Sequence, residues 1–149
     1  MNRISVATCA LIMALLGHAG AATADAEANK ALVRDYMTKL LVEKQVEQAV
    51  TQYADPNLIQ HNPYIADGSA AVIGFLGNML EQNPGFRYDI KRMIAEDDLV
   101  AIHAHVTFAP EDPGMAAFDL FRVKDGKVVE HWDVLQPVPE QSANGNSMF

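Results

Sequence analysis

The chain has 149 residues, half of them hydrophobic, which suits one compact domain with a real core and leaves little room for a second. Its formal charge is −8, and no run of lysine or arginine forms a patch. That excludes nucleic acid and anionic membranes as expected partners and favours a small neutral ligand.

Residues 1–26, MNRISVATCALIMALLGHAGAATADA, place Arg3 in a short polar start, an apolar run from Ile4 to Leu16, and small residues at Ala19, Ala21 and Ala24. This is the layout of a secretory signal peptide over 1–21, with cleavage as late as 24 also admissible, and it predicts a periplasmic or secreted protein. The run is too short to span a bilayer comfortably. The single cysteine, Cys9, lies inside it, so the mature chain would hold no disulfide, thiolate ligand or cysteine nucleophile.

From Asp25 to Tyr53 the sequence reads as helix. Ala28, Ala31, Leu32, Tyr36, Leu40 and Leu41 recur on one face, with a break near Glu43 to Gln45 before a second helix carrying Val46, Ala49, Val50 and Tyr53. Asp55-Pro56 ends the helical run. The stretch LIQHNPYIADG, from Leu58 to Gly68, follows as a loop, and Ser69 is the expected N-cap of a third helix through Leu80, stopped by Asn83-Pro84-Gly85.

After Gly85 the segments FRYDIKRMIAE, LVAIHAHVTF, MAAFDLFRVK and KVVEHWDVL alternate and are separated by turn clusters at Asp97-Asp98, Ala109 to Gly114 and Asp125-Gly126. Helices followed by an antiparallel meander predict an α+β domain over 25–136, its helices covering one face of a curved sheet. The tail, 137–149, is polar and expected to be irregular, with Met148 and Phe149 able to pin its end.

The turn VKDGK decides which side chains share a face. A two-residue Asp-Gly turn would pair Lys124 with Lys127 and put Phe118, Leu120 and Arg122 beside His131 and Asp133. A type I turn with Gly126 in a left-handed bulge would pair Val123 with Lys127 and gather Asp119, Phe121 and Val123 with Val129, His131 and Asp133. The second is favoured, and it leaves Trp132 on the opposite face. Two carboxylates and an imidazole would then converge among apolar side chains, where both carboxylates resist ionising together and the pair can divide acid and base roles. His-x-His at His103 and His105 also matches a way of presenting metal ligands. The alternate residues Val100, Ile102, Ala104, Val106 and Phe108 form the more apolar face, which favours turning the histidines outward; of the two, His103 alone is expected to reach a pocket, and no metal or cofactor is expected.

The stretches LIQHNPYIADG, RMIAEDDLVAIHAHV and FDLFRVKDGKVVEHWDVLQP resemble the SnoaL-like polyketide cyclase branch of the nuclear transport factor 2-like superfamily. The resemblance implies a cone of three N-terminal helices packed on a curved, mainly antiparallel sheet, a pocket between them, and a homodimer through the sheet's outer face. It implies ring closure by aldol condensation without metal or cofactor, with an aspartate on the last strand at Asp133. The histidine that works with it in those cyclases is replaced here by Asp119.

The expected activity is therefore cofactor-independent acid–base catalysis on a small apolar carbonyl compound, as aldol cyclase, aldolase or isomerase. Asp133 would be the principal acid/base, Asp119 its partner and His131 an orienter or second donor, with His61, Asn62, Tyr64, His103 and Phe121 contacting substrate. The alternative is an exported small-ligand-binding protein of the same fold without catalysis.

Overall fold

The computed structural model describes residues 25–149, and the expected signal segment lies outside them. Helix α1 occupies residues 25–37 and runs into a π-helical turn over Thr38–Val42; α2 spans Val46–Tyr53 and α3 Ser69–Gln82. Lys44, at φ 59°, supplies the left-handed residue of the break between α1 and α2. The third helix begins at Ser69, but its N-cap position is Gly68, at φ 91°, so Ser69 is its first helical residue rather than its cap.

Five strands follow one another around the three helices: β1 Ala54–Gln60, β2 Arg87–Glu96, β3 Leu99–Thr107, β4 Met115–Lys124 and β5 Lys127–Pro137. Their order in the sheet is β1-β5-β4-β3-β2, with β1 parallel to β5 and all other neighbours antiparallel. The first strand departs from expectation, since Leu58 to Gln60 belong to it and the loop begins only at His61. Pro56 is compatible with a strand here because β1 is an edge, where a missing N–H leaves no ladder bond unmade. The core lies between the helices and the concave face. Val33, Val50, Leu58, Val100, Ile102 and Val128 are its most completely buried large side chains.

The β4–β5 hairpin corrects the favoured turn. Lys124 pairs with Lys127 and Val123 with Val128, so the connection is the two-residue Asp-Gly turn, with Asp125 at φ 51° and Gly126 at φ 72° as a type I′ turn requires. The bulge lies one step into β5: Arg122 pairs with Glu130, leaving Val129 as the extra residue. That shift restores Phe121 opposite His131 and Asp119 opposite Asp133. Val128, rather than Val129, is the valine buried on the concave side.

Candidate functional site

The concave face and the helices enclose a cavity of about 310 Å³, lined mainly by apolar side chains from α1, α3 and the sheet. This falls at the small end of ligand pockets. Phe75, Phe108, Leu135 and Tyr64 line it while remaining largely exposed, which sets them at its mouth; Tyr64 is 81% exposed. Its polar lining includes Asp119 on β4, His131 and Asp133 on β5, Tyr88 on β2, Gln60 on β1 and Asn62 just beyond it.

Strand periodicity explains which residues arrive there. Along β5, His131, Asp133 and Leu135 face the cavity while Trp132 turns outward to stack on His61, with ring centroids 4.5 Å apart. Along β4, Ala117, Asp119 and Phe121 point in. The same period of two, continued past β1, sends Gln60 and Asn62 inward and His61 outward.

Asp119 is 7% exposed and accepts a 2.6 Å hydrogen bond from the Tyr88 hydroxyl. Burial first, then the Asp119 charge and hydrogen bond and the Asp133 charge, raise the Tyr88 phenol well above its ordinary range, so it stays a donor. Asp133 accepts 2.7 Å from the Asn62 side-chain amide. Asn62 also receives the Tyr64 N–H on its carbonyl oxygen at 2.9 Å, which ties the loop and aims the amide together.

Gln60 fixes the tautomer of His131. Its side-chain oxygen accepts the Asn62 backbone N–H at 3.1 Å, so it also accepts at 2.8 Å from His131 Nδ1, which must carry hydrogen. Nε2 then faces Asp119 Oδ1 at 3.4 Å. A neutral imidazole and an ionised carboxylate would both be acceptors across this contact, so it becomes a hydrogen bond only when the pair holds one more proton. Phe121 stacks on the imidazole with centroids 4.7 Å apart and closes its other side.

Two expected substrate contacts lie elsewhere. His61 is outside the cavity: its Nε2 meets Glu130 at 2.9 Å and its ring covers Trp132, beside Arg122. His103 does not reach the cavity either, because Ile102 and Ala104 occupy the concave side of β3. Its Nδ1 accepts from Arg92 at 2.7 Å, and Phe149 lies over both His103 and His105. His105 hydrogen-bonds the Pro113 carbonyl through Nε2 at 2.8 Å. The histidine pair thus anchors the tail and the loop before β4.

Tyr88 and Gln60 are not among the site residues expected from the sequence, and Tyr36 is expected only as part of the helix's apolar face. Tyr88 alternates with Phe86 and Ile90 in FRYDI, and a phenol on the apolar face of a strand was the available signal. Gln60 became visible only with β1. Tyr36 is 2% exposed on α1, lines the cavity, and its hydroxyl has no hydrogen-bond partner among the described residues; burial raises its pKa strongly.

Solved structures share this architecture. A candidate ketosteroid isomerase from Kribbella flavida superposes with a TM-score of 0.64 at 21% identity, covering 80% of this chain and 86% of that one. A candidate polyketide cyclase from Bacillus cereus gives 0.61 at 20% identity, over 72% and 74%. AclR, a candidate hydroxylase from Streptomyces galilaeus, gives 0.61 at 24% identity, over 74% and 90%. At these identities the likeness shows the fold, which hosts several activities. No curated protein matches the chain. The profile of the SnoaL-like domain matches residues 33–131, most of the chain, taking in Tyr88, Asp119 and His131 and ending two residues before Asp133, and the protein belongs to that family within the nuclear transport factor 2-like fold.

Proposed function

We propose that the protein is an acid–base enzyme that removes and returns a proton next to the carbonyl of a small apolar compound, as an aldol cyclase, aldolase or isomerase, without a cofactor. The observation that carries this reading is the convergence of Asp119, His131 and Asp133 at one wall of an otherwise apolar cavity. Asp133 takes the α-proton, and the C–H electron pair moves into the enolate. The His131–Asp119 pair, holding its shared proton, donates to the enolate oxygen, while Tyr88 keeps Asp119 in place. The proton then returns to another carbon in an isomerisation, or the enolate attacks a second carbonyl and the resulting alkoxide is protonated. Acid–base help of this kind supplies about 10²–10⁴-fold.

Names given to relatives of the same fold, isomerase and polyketide cyclase, agree with enolate chemistry. The test is incorporation of solvent deuterium at the α-carbon of small cyclic ketones. Wild-type protein should exchange it, and Asp133→Asn should lose exchange by at least 10²-fold while remaining folded. Unchanged exchange in Asp133→Asn removes the assignment.

A second reading, a non-catalytic binding protein, draws support from Asp119 standing where related cyclases carry histidine. It predicts tight retention of an apolar ligand with no exchange over long incubation. Export and dimerisation belong to the same proposal: the mature protein would begin after residue 21 or 24. Two copies would meet across the outer sheet face, where Phe118 and Val134 are exposed apolar residues. N-terminal mass and light scattering read these out.

A further inference from the structure

Each member of the trio is held from behind. Gln60 takes the Nδ1–H of His131 at 2.8 Å, Tyr88 donates to Asp119 Oδ2 at 2.6 Å, and Asn62 donates to Asp133 Oδ2 at 2.7 Å. These supports come from β1, the loop after it, and β2. Together they leave His131 Nε2, Asp119 Oδ1 and Asp133 Oδ1 without a donor from outside the trio among the described residues. One ligand atom from each of the three residues lies within 4.8 Å of the other two.

Two features separate this group from a solvated acidic patch. The first is its setting. Asp119 is buried in an apolar hollow directly across the strand pair from Asp133, so a cation seated between them would meet two carboxylates with little competition from water. The second is the pattern of outer partners. A ligating histidine characteristically gives its other ring N–H to an oxygen, and ligating carboxylates are themselves hydrogen-bonded, so that ring plane and lone pairs are aimed before the ion arrives. Here all three side chains are aimed in that way, and the atoms left over are one nitrogen and two oxygens.

We propose that Asp119, His131 and Asp133 form a three-ligand site for a divalent transition-metal ion, with Zn²⁺ the best match. An imidazole with two carboxylates and no thiolate suits zinc and its first-row neighbours; magnesium and calcium prefer all-oxygen shells with more ligands. Three protein ligands leave a coordination position open to the cavity. The inference does not rest on the proton-transfer reading. It competes with it for the same lone pairs, so a bound ion blocks proton removal by Asp133.

The test is equilibrium dialysis and calorimetric titration of the full chain with Zn²⁺, with Co²⁺ as a visible-absorbing substitute. About one ion should bind per chain, producing a Co²⁺ spectrum of nitrogen–oxygen coordination. Asp133→Asn and His131→Gln should each weaken binding at least about 10-fold, and Gln60→Leu, which touches no ion, also by about 10-fold. His61→Ala and His103→Ala should leave affinity unchanged. Circular dichroism of each variant shows that it is folded. Zinc uptake that survives Asp133→Asn and His131→Gln, or that disappears with His61→Ala or His103→Ala, overturns the site. Absence of uptake by the wild type does the same. Zinc uptake by a protein that exchanges no α-deuterium when metal-free overturns the acid–base reading instead; exchange without uptake does the reverse.

Discussion

Replacing Tyr88 with phenylalanine isolates the interaction that holds Asp119 in the cavity. The ring is retained, so no void opens, but Asp119 Oδ2 loses its 2.6 Å donor while the side chain remains buried. Its other oxygen has only the longer 3.4 Å contact to His131. A hydrogen bond to a charged acceptor contributes about 1.5–3 kcal/mol, and a buried carboxylate left without it loses on that scale. For a domain of this size each kcal/mol moves the melting temperature by roughly 3–5 °C, so Tyr88→Phe should melt about 5–15 °C lower. Urea denaturation should show the loss as a lower midpoint with unchanged slope. The pairing is tested by a double-mutant cycle with Asp119→Leu. The two changes should be coupled by at least about 1.5 kcal/mol, because the double variant leaves neither a stranded carboxylate nor a stranded phenol. A Tyr88→Phe protein within about 0.5 kcal/mol of wild type, or an additive cycle, would refute the claim that Asp119 is a buried, phenol-bonded group.

Alkaline solution should act on the two buried phenols of the cavity lining, Tyr36 on α1 and Tyr88 on β2. Tyr36 and Tyr88 are both raised on folding, so the native state keeps protons that the unfolded chain surrenders above about pH 10. Stability is full below that pH and should fall above it by up to about 1.4 kcal/mol per pH unit for each tyrosine, as read by urea titration at successive pH values. Gly114→Ala should fail to fold, because a side chain at φ 77° would drive its Cβ into the Val106 carbonyl oxygen; recovery of folded protein by circular dichroism would contradict this. Deleting Val129 should keep Asp119 opposite Asp133, since Val123 would still pair with Val128 and Arg122 with Glu130, while lowering stability through the β1 pairing that spans the bulge; urea denaturation and retained exchange check it. His61→Ala should cost about 1 kcal/mol, since 42% of the His61 side chain is exposed, and should leave ketone affinity unchanged because the ring lies outside the cavity.

Alternation in FDLFRVKDGKVVEHWDVL was enough to predict that Asp119, Phe121, His131 and Asp133 share a face, yet the mechanism inferred for it was different. Asp-Gly chemistry is compatible with two hairpin registers and does not by itself choose between them; the chain adopts the two-residue turn. The extra residue lies at Val129 inside β5 rather than in the turn. A bulge there answers to pairing with β1 on the other side of β5, where the register also slips between Ala54 and Ile59, and such a constraint is invisible to a hairpin read alone. LIQHN begins as strand rather than loop for a related reason. Pro56 marks a break in most contexts, but an edge strand tolerates it, and once Leu58 to Gln60 are a strand, period two sends His61 outward. His103 follows the apolar alternation of its strand: Ile102, Ala104 and Val106 fill the concave side, and both histidines turn outward, against the expectation for His103. Tyr88 and Gln60 act on residues distant in sequence, through contacts that exist only after the sheet closes.

The most direct test of the central claim, that the concave trio receives a carbonyl, is ¹⁵N-detected NMR of the histidine side chains during titration with a small cyclic ketone. His131 should carry hydrogen on Nδ1 before ligand is added, and its Nε2 resonance and the Asn62 side-chain amide should shift as ketone binds, while His61, His103 and His105 stay fixed. Shifts confined to those three outer-face histidines, with His131 unmoved, would contradict it.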